Sequence, residues 1–453
     1  MLSTKALILF SLWLVALCGL LISCQNNESA RANILKIYNW ADYIDESVLN
    51  EFPAYYKAQT GEDVEIVYQT FDVNEIMLTK IERGHEDYDV VCPSEYIIER
   101  MLKQDLLLPI DTVFNNASNQ MRNISPFIRA QLDKISQPGR PANNYAVCYM
   151  WGTAGILYNT EHVTPDEAST WGCLWDPKFK GRILMKESPR DAYGTAIIYG
   201  HRDDLANGTL TVEDLMNDNS PAAMQMVEDY LKDMRPNIAG WESDFGKEMM
   251  TKGQTWINMT WSGDAVWAID EAKEVDVNLD YVVPREGSNI WYDGWVIPKY
   301  AKNRKAACYF INFMCRPDIA LRNMDAIGYV SSIATPAILE AKIDSTLNYT
   351  SDLTYFFGAE GKDVPVDRIQ YPDYSVVQRC AMIRDFGIHT REVLAIWSRV
   401  KGDNLGVGMT TIIVIALFAL CSWIAYKRYR RYIRTKRHRH MRIRRHVRRE
   451  YVT

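Results

Sequence analysis

The segment Gly406–Tyr426, GVGMTTIIVIALFALCSWIAY, contains no charged residue. About 20 apolar residues are what a helix needs to cross a bilayer, so 406–426 is predicted to be a transmembrane helix. Trp423 and Tyr426 fall where interfacial aromatics belong. The basic block that follows makes a buried core helix a poor alternative. From Lys427 to Arg449 the chain carries 13 Lys or Arg residues, and by the positive-inside rule this tail, 427–453, faces the cytoplasm. Everything before the helix then lies on the other side of the membrane.

The N-terminus predicts the same topology independently. Lys5 precedes an apolar run from Ala6 to Ile22, the layout of an export signal. The run closes on Leu21-Ile22-Ser23-Cys24, the pattern of a bacterial lipoprotein cleavage site. Residues 1–23 are expected to be removed and Cys24 to carry lipid at the inner-membrane surface. A short polar tether, 24–32, would follow.

The tail masks the charge of the rest. The chain has 51 basic and 57 acidic residues; without 427–453, 38 basic and 56 acidic remain, a net charge of −18. An acidic exterior favours cationic ligands and argues against nucleic acid as a partner. Beside a membrane helix, the basic tail fits anionic lipid better than RNA.

The exported body of about 380 residues suits two lobes better than one core. Ile34–Tyr38 reads as a buried strand. Ser47–Gln59 reads as a helix, with Val48, Leu49, Phe52 and Tyr56 on one face and Gly61 after its end. Val64–Phe71, Val73–Arg83 and Tyr88–Cys92 continue the strand, helix, strand alternation of a parallel α/β lobe. A second α/β unit is expected from about 150 to 292, with helical patterning over 212–235 interrupted at Pro221 and a strand at Gln254–Thr260. The chain then returns to the first lobe, with a helix at Arg304–Cys315, and Gln378–Val400 reads as a closing helix. Lobe 1 is expected to comprise 33–145 and 294–336, and lobe 2 146–293 and 337–400. Six cysteines fall in the body: Cys92, Cys148, Cys173, Cys308, Cys315 and Cys380. Cys308 and Cys315 lie about 10 Å apart along one helix and cannot pair if it forms. No Cys or His spacing suggests a metal or cofactor site.

Ligands of open α/β lobes sit at the carboxyl ends of strands. Asn39-Trp40-Ala41-Asp42-Tyr43 and Pro93-Ser94-Glu95-Tyr96 fall there. Further on come Glu187-Ser188-Pro189-Arg190-Asp191, Trp261-Ser262-Gly263-Asp264 and Trp291-Tyr292-Asp293-Gly294-Trp295. The theme is Trp or Tyr beside Asp. A dehydrated ammonium needs a carboxylate for its charge, and an aromatic face adds about 2 kcal/mol of cation–π attraction. Flat rings also shelter an alkyl chain, so such a site suits a linear molecule with an ammonium at each end. Asp191, Asp264 and Asp293 have helix capping as their alternative role, and Glu95 reads equally as a solvated loop residue. Trp151, Trp171, Trp175 and Trp241 read as packing residues.

Eight ordered segments resemble the polyamine-binding receptors of bacterial ABC transporters, the spermidine and putrescine binders. They are KIYNWADYI, YDVVCPSEY, CYMWGTAGILYN, LWDPKFKG, WSGDAVW, WYDGWVIP, INFMCRPDIA and IGYVSS. The resemblance covers about Leu35 to Arg399. It implies a type II periplasmic binding fold, two lobes closing on the amine, no catalysis, a monomeric body, and ABC-transporter permease subunits as partners. It further implies that Trp40 and Trp261 are opposing aromatic walls and Asp42 an ammonium acceptor. Tyr43 would flank Asp42, and Ser94 and Tyr96 would line the first lobe. Asp191 and Asp264 would reach in from the second lobe, Trp291 and Asp293 from the crossing, and Tyr329 at the rim. Ser188 stands where spermidine binders tend to have a further carboxylate, and Asp264 where they tend to have a small neutral residue. Both differences lean toward a diamine. The C-terminal helix and basic tail depart from the family pattern.

Competing readings are an enzyme, a membrane-tethered polyamine sensor, and a receptor for another small solute. Paired carboxylates in a cleft could serve a glycosidase, but no Ser-His-Asp or Cys-His set is visible. The tail has no recognisable signalling domain. Iron would want ligands without aromatic walls, and a sugar would stack on Trp without needing three Asp.

Overall fold

A computed structural model describes residues 31–110, 118–402 and 414–430. The expected signal segment, Cys24, nearly all of the tether and most of the basic tail lie outside these residues. The chain divides into two units, Met1–Leu394 and Ala395–Thr453. In the second, residues 414–430 are helical with exposed side chains. Among the described residues no helix is long and apolar enough to cross a membrane. The first part of the span expected at 406–426 is not among them.

The first unit is built on one mixed sheet in the order β2-β1-β3-β10-β5-β8-β6-β7. Its first three strands, β1 (Ile34–Trp40), β2 (Glu65–Phe71) and β3 (Val90–Val91), pair in parallel. Parallel neighbours need a crossover, and helices Glu46–Thr60 and Asn74–Glu82 supply it. The first of these starts where Asp45 accepts the Ser47 N–H and stops at Gly61, which adopts φ 76°. Left-handed backbone is nearly free for glycine and ends a helix. Val48, Phe52 and Tyr56 face inward at helical spacing.

The opposite edge mirrors this arrangement. Strands β6 (Ile183–Lys186), β7 (Ile238–Glu242) and β8 (Ile257–Trp261) are also parallel. Between the two triplets run two long antiparallel strands, β5 (Ala146–Asn159) and β10 (Ser288–Pro298), with every residue buried. Burial on both faces explains why CYMWGTAGILYN lacks alternation. β5 pairs with β10 up to Thr153 and with β8 from Ala154, so the chain passes between the triplets at that step. Short strands β4 (Leu107–Leu108), β9 (Leu279–Val282), β11 (Val330–Ser331) and β12 (Cys380–Ala381) attach to these two.

The helical patterning over 212–235 resolves into Val212–Met216 and Pro221–Met234, broken where Pro221 begins the second helix. The expected closing helix over 378–400 forms only from Thr390, as Thr390–Gly402. Residues before it do otherwise because Ala381 pairs with Asn289 on β10, and Gly387 takes φ 56°, which no helix accommodates. The stretch 337–400, expected with the second lobe, buries Leu353, Phe356 and Tyr371 in the same hydrophobic cluster as Ile37 and Val90. All six body cysteines are free thiols; Cys308 sits within helix Arg304–Met314 and Cys315 caps it.

Candidate functional site

Both parallel triplets point their carboxyl ends at one cavity, which holds about 1040 Å³ of atom-free space, its mouth included. Pockets for small molecules run to roughly 300–1,000 Å³. Every residue singled out above lines it: Trp40, Asp42, Tyr43, Ser94, Tyr96, Asp191, Trp261, Asp264, Trp291, Asp293 and Tyr329.

From the first triplet, Trp40 ends β1, with its ring 4.6 Å from Phe71. Asp42 turns the chain at φ 50° and is exposed. Ser94 precedes helix Glu95–Lys103. The amide of Asn74 ties this wall together, donating to Ser94 Oγ (3.0 Å) and Tyr96 Oη (3.1 Å), while Tyr96 donates to Glu75 (3.2 Å). Tyr43, Tyr329 and Trp291 form a run of edge-on rings with centroids 5.2 and 5.3 Å apart. Two glycines make room for them. A Cβ at Gly263 would collide with the Tyr329 ring, and one at Gly152 with Trp291.

From the second triplet, Trp261 ends β8 and donates its indole N–H to Asp191 Oδ2 at 3.2 Å. The other Asp191 oxygen accepts from Asn289 Nδ2 at 2.8 Å. Asp191 lies in the first turn of helix Pro189–Gly200, whose cap is Ser188, so its own side chain is free of capping. Asp264 lies in the first turn of helix Ser262–Lys273, and its side chain does not cap either. One oxygen of Asp264 is 2.6 Å from Lys186 Nζ, and the other accepts from Tyr329 Oη at 2.9 Å. Burial alone would raise its carboxyl, but the Lys186 and Lys247 ammoniums hold it below the usual range.

Asp293 comes from the crossing strand β10, where the register with β5 shifts between Asp293 and Gly294 and Ser94 bridges to it. Such irregularities re-aim side chains. Asp293 Oδ1 is buried without a hydrogen-bond partner, as are the indole nitrogens of Trp40 and Trp291. Burial, with the neighbouring Asp191 charge adding to it, pushes the Asp293 carboxyl up to about 7. Among the described residues no cation pairs with Asp191 or Asp293.

Further groups without a local sequence signal complete the site. Glu95 is buried, not solvated. It lines the cavity, accepts the Tyr292 N–H at 2.9 Å, and burial holds its carboxyl well above the usual range. Arg190 is buried, lies over Phe386 with its guanidinium carbon 3.5 Å from the ring centroid, and donates to the Arg384 carbonyl. The extended stretch it holds is gripped from the first triplet's side by the Arg384–Glu99 pair at 2.9 and 3.0 Å. Lys186 at the end of β6 is fully buried. Trp151 and Trp171 are packing residues, as expected.

This geometry, a ligand-sized cavity between two parallel sheet halves joined by two crossing strands, defines a capture protein for a small solute. The model of the bacterial extracellular solute-binding proteins matches residues 53–348, and the chain belongs to that family. It is similar to the spermidine/putrescine-binding periplasmic protein of Escherichia coli strain K12, with 28% identity over 78% of this chain and 88% of the relative. It is also similar to the putrescine-binding periplasmic protein PotF of the same organism, with 28% identity over 76% of this chain and 90% of PotF. Among solved structures, the substrate-binding protein PotD of the spermidine/putrescine ABC transporter from Streptococcus pneumoniae superposes with a TM-score of 0.59. It is 30% identical, covering 82% of this chain and 98% of that one.

Proposed function

We propose that this chain is an extracytoplasmic receptor that captures a polyamine, putrescine or spermidine, and presents it to the permease of an ABC transporter. The observation that carries the reading is Asp293. It is a buried carboxyl with an unpartnered oxygen in a cavity lined by Trp40, Trp291, Tyr43 and Tyr329, and among the described residues no cation pairs with it. An unpaired buried charge costs several kcal/mol, and a ligand ammonium supplies the missing partner. Asp191 and Asp42 extend the acceptor set, Trp261 faces Trp40, and Ser94 and Tyr96 complete the first wall. Asp264 acts through Lys186, as argued below. The names of the relatives support the choice of amine class. The halves close about the crossings near Thr153 on β5 and Asp293 on β10, so that ligand contacts from both stabilise the closed form.

The reading extends to the ends of the chain. Cys24 carries lipid, 406–426 crosses the inner membrane, and the basic tail lies inside, so the receptor works tethered beside its transporter. Intact-mass analysis of the membrane-extracted protein tests the first point: a diacylglyceryl or triacyl increment on Cys24 is expected, and an unmodified N-terminus at Met1 overturns it.

The function itself is tested by calorimetry on the full chain in detergent, with putrescine, cadaverine, spermidine and neutral 1,4-butanediol. Binding of at least one amine and none of the diol is expected. Silence toward every amine would end the polyamine reading.

A further inference from the structure

A second ammonium site lies behind the Trp261 wall, and the chain fills it itself. Lys186 is 0% exposed. Its Nζ sits 2.6 Å from Asp264 Oδ2 and 3.0 Å from Glu242 Oε1, donates to the Ser243 carbonyl at 2.8 Å, and lies 4.7 Å from the centroid of the Trp261 ring. A protonated lysine has three N–H donors, and three acceptors meet them. Carboxylates, a carbonyl and an indole face are the groups that capture a small ammonium from solution. Neighbours hold the cage in place. Glu242 also accepts from Asn258 Nδ2 and the Gly246 N–H, both at 3.1 Å, and Asp264 is fixed by Tyr329.

The consequence concerns charge number. Resting on the polyamine reading above, we infer that Lys186 is a resident ammonium that occupies the Asp264–Trp261 end of the site and so limits the ligand to two ammonium groups. Asp264 is part of the cavity wall, yet its charge is already matched from behind by Lys186, with Lys247 3.8 Å away. A third ligand ammonium would find Asp264 already paired and lose its hydration without gaining that counter-charge; Asp244, beside it on the cavity wall, is raised by burial. Among the described residues Asp191 and Asp293 have only neutral partners, so both are left to meet a ligand ammonium. Lys186 is therefore a specificity-determining residue that never touches the ligand. It selects a diamine over a triamine through the carboxylate it covers.

The test is a calorimetric comparison of putrescine, cadaverine and spermidine on the full-length protein. The wild type is expected to bind a diamine more tightly than spermidine; tighter spermidine binding overturns the inference whatever the variants do. Lys186→Met takes the shared lysine from both Asp264 and Glu242, so it is combined with Glu242→Gln, which keeps the count balanced and leaves Asp264 with only the more distant Lys247. That pair should raise the spermidine-to-putrescine affinity ratio tenfold or more, and adding Asp264→Asn should return it toward the wild-type value. A merely structural lysine would lower all affinities together. An unmoved ratio in the double variant, with melting retained, sinks the inference while leaving the polyamine reading intact. No amine bound by the wild type removes that reading and this inference with it.

Discussion

Asp264 and Asp293 line the same cavity, each 7% exposed, and yet they end in opposite states. The first is held ionised by Lys186 and pinned by Tyr329; the second is pushed up to about 7 with one oxygen unpartnered. The difference lies in what the surrounding strands supply. β6 delivers a lysine to Asp264, whereas Asp293 has around it aromatic rings, the neutral Ser94 and Tyr43 hydroxyls and another carboxylate. Burial makes a charge expensive only where no counter-charge is buried with it. One half of the cavity is thus finished on folding, and the other is left for a cation from outside.

The largest way to break this contrast is Lys186→Met. Removing one partner of a buried pair costs about 3–5 kcal/mol, so urea unfolding should show a loss of that order. A loss under about 1 kcal/mol would mean that the pair is solvated and the contrast weaker than described. Next comes Asp293→Asn. Charged hydrogen bonds contribute about 1.5–3 kcal/mol, so calorimetry should show amine affinity down by roughly ten- to a hundredfold. Wild-type affinity in this variant would move the ligand's counter-charge elsewhere on the wall. Trp261→Ala is expected to weaken binding by about tenfold. It removes the ring and also the N–H that holds Asp191 Oδ2. If affinity is unchanged while the Lys186 cage loosens, the indole serves the lysine and not the ligand.

The finished half was the less legible one. The strand-end motifs were readable because Trp or Tyr next to Asp at a βα turn is a local pattern, and Trp40, Asp42, Tyr43, Trp261, Asp264, Trp291 and Asp293 all line one cavity. The first parallel triplet was readable too, since helix Glu46–Thr60 carries its own start and stop signals, the Asp45 cap and Gly61. Lys186 has no such mark. It follows Ile183-Leu184-Met185 at the end of a buried strand, and its partners Glu242 and Asp264 lie far along the chain. Only a lysine closing an apolar run hinted at it. Glu95 was unreadable for the same reason: its acceptor role depends on the Tyr292 N–H, brought in by β10. The segment after Arg379 kept a helical pattern but is drawn out by pairing with β10 and by the Arg384–Glu99 pair. Long-range partners overrode local preference in each case.

The smallest effect sharpens the contrast from the Asp293 side. An acid whose folded-state value of about 7 lies above its ordinary 3.8 makes the folded protein hold more protons than the unfolded chain between those limits. This contribution favours the unliganded fold below about 3.8 and is lost as pH rises through 7. An amine needs the ionised carboxylate, so binding expels the proton. Calorimetry in buffers of different ionisation enthalpy should report release of about one proton per ligand near pH 6 and almost none at pH 8. Affinity should fall by up to about tenfold per pH unit below 7, where each unit is 1.36 kcal/mol. Asp264, already paired, contributes nothing in this window, so Asp293→Asn should flatten the whole profile. A profile that survives in that variant assigns the proton to Glu95 or Asp244, cavity carboxyls that burial also raises.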